Sequence, residues 1–420
     1  MVFFAILLTI LVSSPSCFSS DCQNLKNAEA RRVNHQANKF RKLTKGMINS
    51  TRAVSMQTVN VDDFGAKADG RTDDSQAFKK AWDKACGSSQ LSLILIPNRT
   101  YYMNPINLSG PCKSALKLEI QGTIEAFSNT SLYEKSGRRW IFFKEVTNFE
   151  VYGGGTINGN GQVWWNISCK VKKTKALTFS KCTNLRVTNL RITNPQQMHV
   201  NFQDCQNVEA SNLTLTAPEK SPNTDGIHVS GTQNISIKNS VIKTGDDCIS
   251  IVSGSRNVQA TGIVCGPGHG ISIGSLGKNG ATDQVSNVSV NGATISGTTN
   301  GLRIKTWQGG SGYAKNIVFE NVVMQSVSNP IIIDQNYCDQ NKPCQNQKSA
   351  VQVENVMYKN IRGTSASEVA MKFDCSETIA CKGIVLQNVN LTGQAGRIAK
   401  ATCNNLKLDY RVASISPRCP

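Results

Sequence analysis

The chain has 420 residues, above the usual size of one compact domain, which leaves two ordinary domains or one extended architecture. At 39% hydrophobic and 6% aromatic residues, with 33 Gly and 12 Pro, it is too apolar for a disordered chain and far from a collagen composition. No apolar run of about 18 residues follows the N-terminus, which excludes an internal membrane span, and 46 basic against 28 acidic residues (net +18) direct the chain to acidic partners.

Compartment narrows those partners. Val2 to Val12 is an apolar run followed by small residues around Ser13 to Ser20, the core and cleavage region of a secretory signal peptide, although a charged n-region is missing. Residues 1–20 are therefore read as a signal peptide. Asp21 to Arg52 carries eight Lys/Arg against two acids and little core pattern, so residues 21–56 read as a basic segment, either a removable pro-segment or a tail. The rest, 57–420, is still basic and forms the folded domain. Of 15 Cys, Cys17 falls in the signal, leaving an even 14 suited to disulfides in an oxidising compartment. Cys338/Cys344 and Cys375/Cys381 look like small clipped loops, and Cys403/Cys419 could tie down the C-terminus. The absence of any Cys-x-x-Cys pair argues against zinc. Nine Asn-x-Ser/Thr sequons (Asn49, Asn98, Asn107, Asn129, Asn166, Asn212, Asn234, Asn287 and Asn390) fit a secreted glycoprotein. Secretion and sparse aromatics set nucleic acid aside as a partner.

Along the body, Ser75 to Ala85 places Ala77, Phe78, Ala81, Trp82 and Ala85 at helical spacing. From Asn148 onward one phrase recurs: a polar residue, Asn, then apolar residues alternating with polar ones. The Asn positions are 148, 184, 207, 234, 257, 287, 316 and 355, and in CKGIVLQNVNL a Gly stands in the same place. Alternation over four to six residues gives short strands, and a strand-only repeat of twenty-odd residues points to a solenoid. The expected fold is all-β, a single-stranded right-handed parallel β-helix whose coils rise about 4.8 Å each, with a short capping helix covering the N-terminal edge.

Four motifs fall on consecutive coils: Asn223-Thr-Asp-Gly226 within SPNTDG, Thr244-Gly-Asp-Asp-Cys248, Gly266-Pro-Gly-His-Gly270 and Arg303-Ile-Lys305. Asp246 and His269 each lie 12 residues after their coil's Asn, which stacks them; Asp225 and Arg303 sit at longer offsets of 18 and 16. Alternation turns Arg303 and Lys305 to one face and Ile304 inward. Three carboxylates, an imidazole and two cations should share one surface. Glycoside hydrolysis needs such a set, since one carboxylic acid protonates the leaving oxygen and a carboxylate activates water. Crowded aspartates push one pKa up and keep one member protonated. Taken singly, Asp225, Asp246 and Asp247 would be turn residues or a calcium site. His35, His199 and His228 lack the glycines that flank His269 and read as ordinary histidines.

At these residues the chain resembles a family: NTDG, GDDC, GHG and RIK in that order, with DDFGAKADGRTDD near Asp62–Asp74 and GGGTINGNGQVWW at Gly153–Trp165, are similar to plant polygalacturonases of glycoside hydrolase family 28, over roughly residues 57 to 420. The resemblance implies inverting hydrolysis of α-1,4-galacturonosyl bonds in cell-wall pectin, with no metal or organic cofactor. It implies Asp246 as general acid, Asp225 and Asp247 as holders of the attacking water, and His269 as the group that sets the acid's proton state. Asn223, Arg303, Lys305 and Tyr337 would bind substrate. The expected partner is polygalacturonate alone, handled by a monomer outside the cell, with endo cleavage favoured over exo. A pectate lyase is a rival with calcium and an arginine base; a non-catalytic wall-binding solenoid is another.

Overall fold

The computed structural model describes residues 56–134, 139–166, 175–339, 344–345 and 347–420. The signal-peptide and basic-segment readings lie outside the described residues, apart from Met56.

Eleven successive coils each contribute one strand to a sheet that forms one long face of the domain. Its eleven parallel strands are β1 (Ile106–Ser109), β2 (Arg139–Lys144), β3 (Lys175–Ser180), β4 (Val200–Gln203), β5 (Ile227–Ser230), β6 (Ile249–Ile251), β7 (Ile271–Leu276), β8 (Asn300–Trp307), β9 (Asn329–Tyr337), β10 (Val369–Asp374) and β11 (Lys400–Asn404), and each pairs only with its neighbours in that order. The remaining strands build a 22-stranded sheet that wraps the other sides of each coil. The ladders between coils are parallel, as a solenoid requires.

Alternation in the sequence decides what faces in. Phe143, Phe179 and Phe202 stack ring on ring at 5.2 and 5.6 Å, and Ile227, Ile249, Ile271, Leu302 and Ile331 continue the neighbouring inward row, all buried. The expected helix is present as α1 (Ser75–Cys86), one residue longer than its apolar pattern. It buries the Ala77, Phe78, Ala81, Trp82 and Ala85 face, with Trp82 against Phe143 and Phe149 at 5.4 and 5.5 Å. Truncating such a tryptophan costs about 3–5 kcal/mol, so the helix is part of the core rather than an appendage.

The recurring asparagines mark the corners. Asn148, Asn184, Asn207, Asn234, Asn257, Asn287, Asn316 and Asn355 all hold φ between 53° and 58°. From Asn184 onward each amide donates its Nδ2 to the Oδ1 of the preceding coil's asparagine at 2.8–3.4 Å, with Asn148 accepting at the start of the ladder. Asparagine tolerates the left-handed conformation and stacks its amide, which is why it recurs; Gly383, with φ 61°, takes over where the side chain is missing. A second ladder runs through Asn291, Asn321, Asn360 and Asn388.

Disulfides join Cys338–Cys344, Cys375–Cys381 and Cys403–Cys419, as the spacing suggested, and also Cys86–Cys112 and Cys248–Cys265. The even count does not mean full pairing, because Cys182 and Cys205 are free and buried. Their thiols sit at a corner where later coils use Thr232 and Ser255, and all four donate to a backbone carbonyl at the end of the facing strand: Phe143, Phe179, Phe202 and Val229 in turn. They serve there as small hydrogen-bonding corner residues. Among the described residues, no helix is long and apolar enough to cross a membrane.

Candidate active site

The registers Ile227↔Ile249 and Ile249↔Ile271 run back two residues to set Asp225, Asp247 and His269 side by side on three coils. The backbone bonds Gly226 N to Asp247 O (2.9 Å) and Cys248 N to Gly270 O (2.8 Å) hold that alignment. Asp246 precedes this column by one residue, at the turn. Its carbonyl accepts from His269 N at 2.8 Å and Thr244 Oγ1 at 2.9 Å, and its Oδ1 accepts from Asp247 N at 2.8 Å. The glycines around His269 are steric requirements. A Cβ on Gly268 (φ 138°) would lie 2.6 Å from the Asp246 carbonyl, and one on Gly270 (φ 83°) 2.1 Å from that of Asn300. Cys248–Cys265 ties the GDDC turn to the next coil.

The structure brings the expected residues together but engages them unequally. Asp247 is 2% exposed and its charge is fully answered. Oδ1 accepts from Arg303 Nη2 and Ser272 Oγ, each at 2.7 Å, and Oδ2 from Lys305 Nζ at 3.0 Å. Arg303 Nε also donates to Ser272 Oγ at 2.9 Å. Burial alone would raise this carboxyl, but Lys305 and Arg303 hold it down at about 2. Asp225, 7% exposed, has the opposite setting: burial first, then the charge of Asp246, push it up to about 6, against the pull of His228. His269 Nδ1 lies 2.9 Å from Asp246 Oδ1, and that bond raises the imidazole above its ordinary value. Asn223 Nδ2 donates to Asp246 Oδ2 at 3.2 Å. Two carboxyls with opposite pKa settings beside a third form the arrangement acid–base chemistry needs.

Beyond Lys305 the floor turns aromatic. Its ammonium lies 5.5 Å from the Tyr337 ring centroid, and Tyr337 meets Trp307 edge-on at 5.3 Å. Lys278 sits 5.0 Å over the Trp307 ring. This forms a cationic and aromatic shelf two and three coils beyond Asp247, suited to an anionic sugar.

Asp246, Asp247 and His269 bring ligand atoms within 4.8 Å of one another. The set is poorly suited to a divalent cation: both Asp247 oxygens already accept from Arg303, Ser272 and Lys305, and those two cations would repel the ion.

Two histidines that read as ordinary in the sequence belong to the site. His228 Nδ1 lies 3.1 Å from Asp225 Oδ2. His199, fully buried, places Nδ1 2.9 Å from the Asp225 carbonyl, and its backbone N donates to the same oxygen at 2.8 Å. A carbonyl only accepts, so His199 carries its proton on Nδ1, and burial, lowering it to about 4, keeps it neutral. For His228 a signal was present: in IHVS, Ile227 and Val229 face in, which turns His228 to the same outward row as Arg303.

A parallel β-helix carrying clustered carboxyls beside two cations is a polysaccharide-hydrolase architecture. The profile described as glycosyl hydrolases family 28 matches residues 86–415, and the chain belongs to that family. It is 56% identical to a polygalacturonase of Malus domestica over 96% of this chain and 88% of that protein. It is 52% identical to the polygalacturonase QRT2 of Arabidopsis thaliana over 98% of this chain and 97% of that one. Among solved structures, the endo-xylogalacturonan hydrolase of Aspergillus tubingensis superposes with a TM-score of 0.75 at 25% identity, covering 87% of this chain and 99% of that one.

Proposed function

We propose that the protein is a secreted, endo-acting polygalacturonase that hydrolyses α-1,4-galacturonosyl bonds of de-esterified pectin in the plant cell wall with inversion. The observation that carries this reading is the split within the acid cluster: Asp247 locked as a carboxylate, Asp225 raised to about 6, and Asp246 beside His269 at the groove surface. Depth supports a division of roles. Asp246 (side chain 16% exposed) and His269 (39%) are the members a glycosidic oxygen can reach, so Asp246 donates the proton, while the deeper Asp225 and Asp247 hold the attacking water between them. Asp225 takes the water's proton, the sugar–oxygen bond to the leaving unit breaks, and the new C1–OH bond forms on the opposite face. Arg303 and Lys305 keep Asp247 charged, and their remaining donors, with Asn223 and Tyr337, meet the substrate and its carboxylates.

This pairing also weighs against β-elimination. Arg303 is bonded to Asp247 and held charged by it, so no arginine base is free at this position. Asp246→Asn should lower turnover by about 10²–10⁴-fold with the fold intact. Near-normal release of reducing ends by this variant refutes the acid assignment, and ultraviolet-absorbing unsaturated products from the wild-type protein refute hydrolysis. Early product sizes decide the mode: mixed oligomers mean endo, and monomer alone means exo.

A further inference from the structure

The two carboxyls at the reaction centre, Asp225 and Asp246, each have an imidazole of their own. His269 Nδ1 lies 2.9 Å from Asp246 Oδ1, and His228 Nδ1 lies 3.1 Å from Asp225 Oδ2, on neighbouring strands. Hydrolysis by inversion needs this pair to hold one proton, and on the right member: on Asp246, so that the leaving oxygen can take it, and absent from Asp225, so that water can be deprotonated. Burial and mutual repulsion work against that placement, since Asp225 is the deeper of the two and burial raises its pKa.

We infer that His228 is the positioning residue that keeps Asp225 ionised and so directs the proton shared by the two carboxyls onto Asp246. The inference rests on the acid and base roles proposed above. It follows from what surrounds Asp225. Of the charged neighbours that act on it, Asp246 and Asp247 disfavour its ionised form and His228 favours it. Arg303 and Lys305 are bonded to Asp247, and His269 to Asp246. His199 grips the Asp225 backbone carbonyl and not its carboxylate. His228's own cross-strand neighbours, Asn201 and Ser250, carry no charge. The ring is mostly buried, its side chain 15% exposed, so its bond to Asp225 is sheltered from water. By occupying Oδ2 with an N–H donor, His228 also leaves Oδ1 as the oxygen that receives the water's proton. No bond in the sugar is touched by this device; one proton sits on Asp246 in place of Asp225.

The test uses the full chain and polygalacturonate, with kcat and KM measured separately across pH, for the wild type, His228→Phe, His228→Asn and Asp225→Asn. His228→Phe should lower kcat about tenfold to a hundredfold, the worth of one charge-assisted hydrogen bond, while KM changes less than about twofold. Losing the donor raises the Asp225 pKa, so the acid limb of kcat/KM should move to higher pH by about one unit. His228→Asn offers an amide N–H at the position of Nδ1 and should recover most of kcat, with a smaller upward move of the acid limb. An unmoved acid limb in either variant, or an asparagine variant as impaired as the phenylalanine one, overturns the inference. Should the phenylalanine variant not fold, His228→Ala takes its place under the same expectations. Asp225→Asn separates the two levels: if it stays active, the base assignment itself is wrong; if it is inactive while the His228 variants keep the wild-type profile, only the role of His228 falls.

Discussion

Lys305 is the partner of a buried carboxylate and also the proposed substrate cation, and replacing it with methionine separates the two roles. Asp247 sits at about 2 rather than at its ordinary 3.8, mainly through Lys305 and Arg303 overcoming burial. That depression corresponds to about 2–3 kcal/mol of stability, present above pH 3.8 and lost as pH falls through about 2. Lys305→Met removes the donor on Oδ2 and leaves Arg303 and Ser272 on Oδ1. The variant should be less stable than the wild type by ~2 kcal/mol at pH 6, because an ionised oxygen is left buried without a partner. The difference should shrink at pH 2.5, where protonation relieves the variant's carboxyl first. Urea unfolding at the two pH values measures it. In kinetics, KM for de-esterified polymer should rise about tenfold and the preference over highly esterified pectin should narrow. A destabilisation of equal size at both pH values refutes the electrostatic account. Unchanged KM for both polymers removes Lys305 from the substrate site.

Other expectations concern the opposite setting and the frame. Asp225 is raised to about 6, so the wild type loses stability as pH climbs from 3.8 through 6; Asp225→Asn should be inactive yet more stable at pH 7 by up to about 3 kcal/mol, with the gain vanishing below pH 3.8, as read by thermal or urea unfolding. Asn257→Ala should cost about 2–3 kcal/mol, from the left-handed φ of 55° and ladder bonds of 2.8 and 2.9 Å, and Asn257→Gly should cost less because only the bonds are lost; equal losses would remove the conformational part of that account. Removing the Cys248–Cys265 link with a double serine variant should cost about 2–4 kcal/mol and lower kcat more than it raises KM, since the tie ends at the GDDC turn.

What could be read from the sequence follows from the one-dimensional stack. The asparagine phrase gave both the repeat and its corner; equal offsets of 12 residues brought Asp246 to His269, and the 2.9 Å contact is present, but the strand register aligns His269 with Asp247 and Asp246 reaches it from one residue earlier. Alternation correctly turned Ile304 inward, away from Arg303 and Lys305. The pairing of those two cations with Asp247 was not legible, because the partners are 56 and 58 residues apart and a whole coil, carrying Ser272, lies between their strands. His228 and His199 were passed over because flanking glycines were taken as the mark of a catalytic histidine; those glycines relieve a steric crowding specific to the turn at His269 and say nothing of a histidine inside or just before a strand. Cys182 and Cys205 escaped an argument from even numbers because a thiol can serve as a corner donor as well as a bridge.

The asparagine ladders have a consequence for how such a groove can change. Because each corner is fixed to the one below by backbone pairing and a side-chain amide, the height of any floor residue is set by its coil number, in steps of about 4.8 Å. Loop length does not enter: the interval between successive ladder asparagines varies from 23 to 39 residues without breaking the column. Insertions between strands can therefore raise or lower the groove walls, open an end or close it, while Asp225, Asp247, His269 and Arg303 keep their spacing. The strand rows behave as a ruler and the loops as its adjustable frame, so a change in the loops requires no movement of these four residues.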